Sequence, residues 1–228
     1  YCGLLLEKEI SNLKKFFGKN TSPSLAIIGG AKVSSKIDVL YSLMNSVDKI
    51  IIGGGMAYTF ISSLGGKIGS SLIEKDRVSD AKEILIAAQE INVEILLPMD
   101  SVNSNDFKNN AGVITNIFDI PKGYLGLDIG PASIALFKKE ILLAKNILWN
   151  GPMGVFEFSN FSYGTRLIAE TVCKRTNEGA FSLVGGGDSV AAIKKYGLEK
   201  NISYLSTGGG AMLEFLEGKD LPALVALS

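Results

Sequence analysis

Two lysines four residues apart, Lys32 and Lys36, follow directly on Gly29-Gly30. Read as the opening of a helix, Gly29 to Lys36 would put both ammonium groups on one face. Like charges there repel by a few tenths of a kcal/mol unless an anion joins them. Alone, such a pair reads as solvated surface lysines; next to a glycine turn it reads as a phosphate clamp. Asp188 follows Gly185-Gly186-Gly187. It has the chemistry of a helix N-cap, or of a hard oxygen ligand for Mg²⁺ carried on a nucleotide. Glu157 ends the run Asn150-Gly151-Pro152-Met153-Gly154-Val155-Phe156. That turn is too elaborate for a plain connection, and its carboxylate suits ribose hydroxyls or a surface position. Histidine is absent. Histidine bases, Ser-His-Asp triads and imidazole metal ligands are therefore excluded. Proton or charge chemistry falls to Lys, Arg, Asp, Glu and backbone amides.

These residues sit at the ends of apolar runs. Leu25–Ile28, Ile50–Ile52, Ile147–Trp149, Ser182–Val184 and Tyr204–Leu205 each lead into glycines, and Val93–Pro98 is a sixth run. Continuous apolar runs of this length predict strands buried on both faces. Between them, Val33, Ile37, Leu40, Met44 and Val47 step by helical intervals, as do Leu6, Ile10, Leu13 and Phe17. Strand, glycines, helix, strand, repeated, predicts an α/β fold with a parallel sheet and right-handed crossovers. Glycine is 26 of 228 residues, above the usual ~7%, and it clusters at the strand ends, where open α/β sheets bind ligands. Such turns bring amides and helix N-termini to one edge, an arrangement suited to phosphate. Asp100–Lys122 reads as an irregular excursion with minor strands on the same domain.

Several classes are excluded. Lys+Arg and Asp+Glu are both 23, so there is no basic excess for nucleic acid. No apolar stretch approaches the ~18 residues that span a bilayer. Two cysteines, Cys2 and Cys173, read as reduced thiols of a cytosolic protein. G-x-x-x-x-G-K-[ST] and G-x-G-x-x-G are both missing, which argues against a P-loop and against a dinucleotide-binding oxidoreductase. The chain begins at Tyr1 rather than Met, which suggests a fragment.

The blocks GGAKVSSK, IIGGGMAYTF, YLGLDIGP, ILWNGPMGVFEF, SLVGGGDSVAA and SYLSTGGGAMLEFLEGKDLPAL, in this order, resemble phosphoglycerate kinase over about Leu4–Ser228. WNGPMGVFE and GGGDS are the most specific blocks. The likeness is to the C-terminal, nucleotide-binding half of that family. It implies a Rossmann-like three-layer domain with a six-stranded parallel sheet over 1–228, in which 4–17 is the interdomain helix. The activity implied is reversible phosphoryl transfer between ATP and the carboxylate of 3-phosphoglycerate in glycolysis, by a cytoplasmic monomer with Mg²⁺. Carried over by motif, Gly30, Ala31, Gly54 and Gly55 line one side of an adenine pocket, and Gly126, Leu127, Pro152 and Val155 the other. Glu157 takes the ribose. Lys36 binds the α-phosphate and follows the transferring group, which Lys32 steadies, and Asn150 lies near the phosphates. Asp188 serves Mg²⁺, with Ser189 and the Gly186 and Gly187 amides on the β-phosphate. The amides of Gly208, Gly209 and Gly210 face the transferring group. Ser35 stands where some members carry an acid. The resemblance also implies that an N-terminal domain, absent from this sequence, binds 3-phosphoglycerate. This chain alone is then a nucleotide binder and inactive. Leu4, Leu5 and Phe16, off the apolar stripe of the first helix, are expected to face that domain.

Overall fold

The computed structural model describes residues 4–18 and 21–206, with positions 212 and 215. In chain order, α1 (Leu4–Phe16) precedes β1 (Ser24–Ile28), α2 (Ile37–Met44), β2 (Lys49–Ile52), α3 (Ala57–Ser63) and β3 (Lys67–Ile68). Then come α4 (Val78–Glu90), β4 (Glu94–Leu96), β5 (Asp100–Ser104), β6 (Val113–Asn116), β7 (Asp119–Ile120) and β8 (Leu125–Ile129). The last described elements are α5 (Pro131–Leu143), β9 (Asn146–Asn150), α6 (Tyr163–Asn177), β10 (Phe181–Gly185), α7 (Gly187–Lys195) and β11 (Tyr204–Leu205).

All six apolar runs are strands of one sheet, in the order β11-β10-β9-β1-β2-β4, and every pairing is parallel. The cause is burial on both faces, so each run can be apolar throughout rather than alternating. Ala26, Ile28, Ile50, Ile52, Leu148 and Leu183 pack under α1–α4 with Leu40, Phe60 and Ile84. Leu25, Ile27, Ile51, Ile147, Trp149 and Val184 pack on the other face with Phe137, Ile141, Ile168 and Val172. This gives the three layers that the resemblance implies, around the parallel sheet that the apolar runs predict.

The chain starts in the middle of the sheet. It builds outwards through β2 and β4, then returns to lay β9 against the free side of β1. That reversal makes the line between β1 and β9 the topological switch point, where a crevice opens at the carboxyl ends. The registers level those ends: Ile28 is opposite both Ile52 and Asn150, and Asn150 is opposite Gly185. The following glycines therefore emerge side by side.

The excursion after β4 is more ordered than its composition suggests. β6, β5 and β8 form an antiparallel sheet with a bulge between Val102 and Asn103. β3 and β7 pair beside it.

The first helix corrects one expectation. Ile10 and Leu13 are buried as expected, but Phe16 is 1% exposed and sits in the core. Phe17 is only partly buried, edge-on to the Phe16 ring at 4.9 Å. The helix ends at Phe16, which takes the last place on the inward stripe, while Phe17 N–H still donates to Leu13 O at 3.1 Å. The side chains of Leu4, Leu5 and Leu6 lie outside the described residues.

Candidate functional site

Backbone hydrogen bonds knit the strand-end turns together across the switch point. Gly29 N–H donates to Asn150 O (2.9 Å), and Gly30 N–H to Pro152 O (3.2 Å). Gly54 N–H donates to Met153 O (3.2 Å), and Met56 N–H to Gly30 O (3.0 Å). Chains this close leave no room for a side chain. Gly54 has φ +67°, and a Cβ there would stand 2.6 Å from Gly30 N. A Cβ on Gly151, at φ +98°, would overlap the Gly29 carbonyl. Glycine is required at both positions on conformation and on space.

Above these turns lies a cleft of about 430 Å³, within the range of small-ligand sites. Gly30, Ala31, Gly54 and Gly55 line it from the β1 and β2 turns, and Gly126, Leu127, Pro152 and Val155 from β8 and the β9 turn. Glu157 and Asp188 complete its lining among the residues singled out from sequence. The structure thus brings together ten of those positions. Sequence reasoning missed Tyr58, Ser70, Leu72, Phe107, Leu125, Met153 and Gly154, which also line it. Most are ordinary apolar residues with no signature of their own. Phe107, 59% exposed, stands in the excursion, its ring 5.3 Å from that of Phe158 beside Glu157. Tyr58 is buried and fills the space that a side chain on Gly126 would need. Lys195 of α7 donates to Phe156 O (2.7 Å) and so fixes the residue before Glu157.

Other candidates gather around the start of α7, whose Asp188 lines the cleft. Lys36 Nζ donates to Asn150 Oδ1, and Asn150 Nδ2 donates to Gly185 O (3.0 Å). Asn150 is 2% exposed, so its amide is held between the lysine and the neighbouring strand. Gly186 is the N-cap of α7, at φ 89°. Asp188 is in the first turn and makes no capping bond. It is exposed, so its carboxylate faces solvent at the cleft rather than closing the helix. A Cβ on Gly30 or Gly187 would meet no atom within 4 Å; open space lies before both amide segments. The nine-residue α7 thus presents its positive end there. Ser189 is fully buried, and its hydroxyl accepts the Gly151 N–H at 2.6 Å. Gly208, Gly209 and Gly210 lie outside the described residues.

Lys32 and Lys36 do not share a helix face, against expectation. The helix begins only at Ile37, and Lys36 is its N-cap at φ −131°. Residues 32–36 form a turn instead. Lys36 N–H bonds Val33 O (2.7 Å), and Ser35 Oγ donates to Lys32 O (3.0 Å). Local hydroxyl bonds of this kind compete with helix. A distant acid completes the turn: Glu74 accepts from Ser34 N (3.0 Å) and Ser34 Oγ (2.5 Å). Burial raises the Glu74 carboxyl, but the Ser34 donors outweigh it and hold the group below the usual carboxylate range. Glu74 thus anchors, through Ser34, the turn that carries both lysines. Glu74→Ala should weaken binding of a phosphate ligand by about 1 kcal/mol through loss of the turn's anchor. The check is titration of the variant with ADP, against an unchanged melting curve.

The three-layer parallel α/β architecture, with a cleft at its switch point beside a helix N-terminus, is of Rossmann-like build. The comparisons carry this further. The family model described as "Phosphoglycerate kinase" matches residues 1–219. The phosphoglycerate kinase of Thermosipho africanus is 50% identical over 230 residues, 99% of this chain and 57% of that protein. That of Porphyromonas gingivalis is 47% identical, over 99% of this chain and 54% of that protein. The solved phosphoglycerate kinase of Coxiella burnetii superposes with a TM-score of 0.94 at 41% identity, over 98% of this chain and 58% of that one. That of Pyrococcus horikoshii superposes with a TM-score of 0.84 at 32% identity, over 99% and 56%. The chain belongs to the phosphoglycerate kinase family and spans little more than half the length of these relatives. No helix among the described residues is long and apolar enough to cross a membrane.

Proposed function

We propose that this chain is the nucleotide-binding domain, residues 1–228, of a phosphoglycerate kinase, and that it takes ADP and ATP in the cleft. The observation that carries the reading is the cleft's polarity. Apolar walls at Gly54, Gly126, Pro152 and Val155 share the lining with Asp188 of the first turn of α7, and Asn150, which holds Lys36, packs against Gly186 at the N-cap of that helix. A purine fits the first part and phosphates the second. Glu157 then meets the ribose, Lys36 and Lys32 the transferring phosphoryl group, and the α7 amides the β-phosphate.

The residues fit Mg²⁺ brought in on the nucleotide. Asp188 offers one exposed carboxylate at the phosphate end, and among the described residues no group of three His, Cys, Asp or Glu could build an all-protein cage. Mg²⁺ characteristically takes one or two carboxylates and completes its shell with phosphate and water. When bound it supplies charge neutralisation between the phosphates.

The reaction proposed is reversible phosphoryl transfer between ATP and the carboxylate of 3-phosphoglycerate, a step of glycolysis in the cytoplasm. A carboxylate acceptor is already ionised, so no base is needed. The requirements are in-line placement and positive potential at the equatorial oxygens. Two lysines and a helix N-terminus answer the second, so this half of the reaction asks for no histidine. We read the acceptor's own clamp as belonging to residues beyond this chain, and the intact enzyme as a monomer. This chain alone should therefore bind nucleotide yet transfer phosphate at least roughly a thousandfold slower than the intact enzyme, since oriented reactants gain several kcal/mol.

Calorimetry of the chain with ADP and Mg²⁺ tests the reading, and absence of binding would refute it. Glu157→Gln keeps shape and removes charge, so ADP should bind about 1–2 kcal/mol more weakly. An unchanged affinity would remove Glu157 from the ribose site.

A further inference from the structure

Asp128 is a buried carboxylate that the proposed chemistry does not use. It lies on β8, next after Leu127 of the cleft wall, and is 2% exposed. Oδ2 accepts the Gly164 N–H at 2.7 Å, and Oδ1 accepts the Asp128-adjacent Ile129 N–H at 2.9 Å. The Tyr163 N–H contributes a further backbone bond. These donors belong to the first turn of α6 and to β8 itself. The carboxylate also stands directly behind Gly154, where an added Cβ would overlap Oδ1 and lie 2.6 Å from Leu127 O. Next to Gly154, Val155 N–H donates to Leu127 O at 2.8 Å. One buried acid thus bonds β8 to the start of α6 and packs directly behind Gly154 of the opposite wall.

We propose that Asp128 is a positioning residue of the cleft, whose ionised carboxylate holds the adenosine walls at Leu127 and Val155 in register for binding. This rests on reading the cleft as a nucleotide site. The ionised form is the competent one because both oxygens are used as acceptors. Protonation weakens one oxygen as an acceptor, and an asparagine amide turns one acceptor into a donor that faces an N–H.

Ionisation is costly here. Burial pushes the Asp128 carboxyl up to about 7, against the opposing pull of the Gly164, Ile129 and Tyr163 amides. The titratable side chains that face it are Tyr58 of α3 and Tyr196 at the end of α7. β5 opposite places neutral Val102 in register, flanked by Ser101 and Asn103, and α6 presents backbone amides. No cation among the described residues offsets the charge. The wall therefore tightens as pH rises through neutrality.

Adenosine is the probe, because it fills the walls and carries no titrating phosphate; tripolyphosphate reports the lysine end alone. In the wild-type chain, adenosine affinity should rise several-fold between pH 6 and 8; tripolyphosphate, which gains charge over that range, is compared only between wild type and variant at pH 8. Asp128→Asn should bind adenosine about tenfold more weakly at pH 8, the worth of one hydrogen bond to a charged group. Its adenosine affinity should be flat in pH, and its tripolyphosphate affinity near wild type. Equal losses for both probes, or an unchanged adenosine affinity, would overturn the proposal. If Asp128→Asn does not fold, a flat wild-type adenosine profile overturns it and a rising one supports it. A wild-type chain that binds neither adenosine nor ADP would refute the nucleotide reading itself, and this inference with it. One that binds ADP but shows no Asp128 effect would refute only the inference.

Discussion

Gly151→Ala should cost the fold about 3 kcal/mol or more and abolish nucleotide binding. Two penalties add at this position. Gly151 sits at φ +98°, where an L side chain is strained by about 1–2 kcal/mol. Its Cβ would also overlap the Gly29 carbonyl carbon and oxygen, which are backbone and have no rotamer to yield. Overpacking against fixed atoms costs about 1–3 kcal/mol. Relief requires the β1 and β9 turns to part, and that breaks the Gly29–Asn150 and Gly30–Pro152 bonds on which the cleft floor rests. The measurement is denaturant unfolding, with calorimetry of ADP beside it. Gly179→Ala is the control: φ is +103° there too, but a Cβ meets nothing within 4 Å. It should show the conformational penalty alone and keep nucleotide affinity. Equal losses for the two variants would sink the steric argument.

Asn150→Leu should be nearly as damaging, by a different route. Leucine keeps the branched shape, though it is bulkier, and offers neither acceptor nor donor. The Gly185 carbonyl, at a buried strand end, loses its Nδ2 partner, and the Lys36 ammonium loses Oδ1. Stranding a buried acceptor costs about 1–3 kcal/mol. Loss of the guide for Lys36 adds a binding defect of about 10- to 100-fold, as expected for a misplaced charge-assisted contact. Asn150→Asp separates the two effects. It keeps an acceptor for Lys36 but sets a carboxylate oxygen against the Gly185 carbonyl. Stability should fall as for leucine, while Lys36 remains directed. Binding by Asn150→Leu at wild-type strength would show that Lys36 needs no guide.

The parts of this architecture that were legible in sequence share a cause. Strands buried on both faces admit only apolar residues, so β1, β2, β9 and β10 announce themselves as unbroken runs. Glycine at their ends is forced by backbone approaching backbone, so the turns were visible as well. The walls of the cleft followed from resemblance rather than from pattern. The Lys32–Lys36 segment was misread because its shape depends on Glu74, an acid some forty residues away that no local rule connects to Ser34. Phe16 was misplaced because a helical stripe was extended one residue past the helix's real end. The β5–β6–β8 sheet was legible only as irregularity. β6 is largely exposed, and β5 buries polar Ser101, Asn103 and Ser104 instead of an apolar run, with Asn103 bonding Thr115 of β6. Asp128 was hidden inside YLGLDIGP, where one acid among apolar neighbours gives no sign of being buried.

The reversal of the chain between β1 and β9 has a consequence for folding order. Gly30 and Gly54 come from the first quarter of the chain, whereas Gly126, Val155 and Glu157 come from beyond its midpoint. No half of the polypeptide can assemble the cleft by itself, so the loops that close it span about a hundred residues and form late. A ligand seated there acts as a reversible cross-link between early and late segments. Its stabilisation, about 2.7 kcal/mol at a hundred times Kd, is then felt across the whole sheet rather than near the ligand alone. Amide hydrogen exchange should slow in β2 and in β10 together when nucleotide binds, although neither strand lines the cleft.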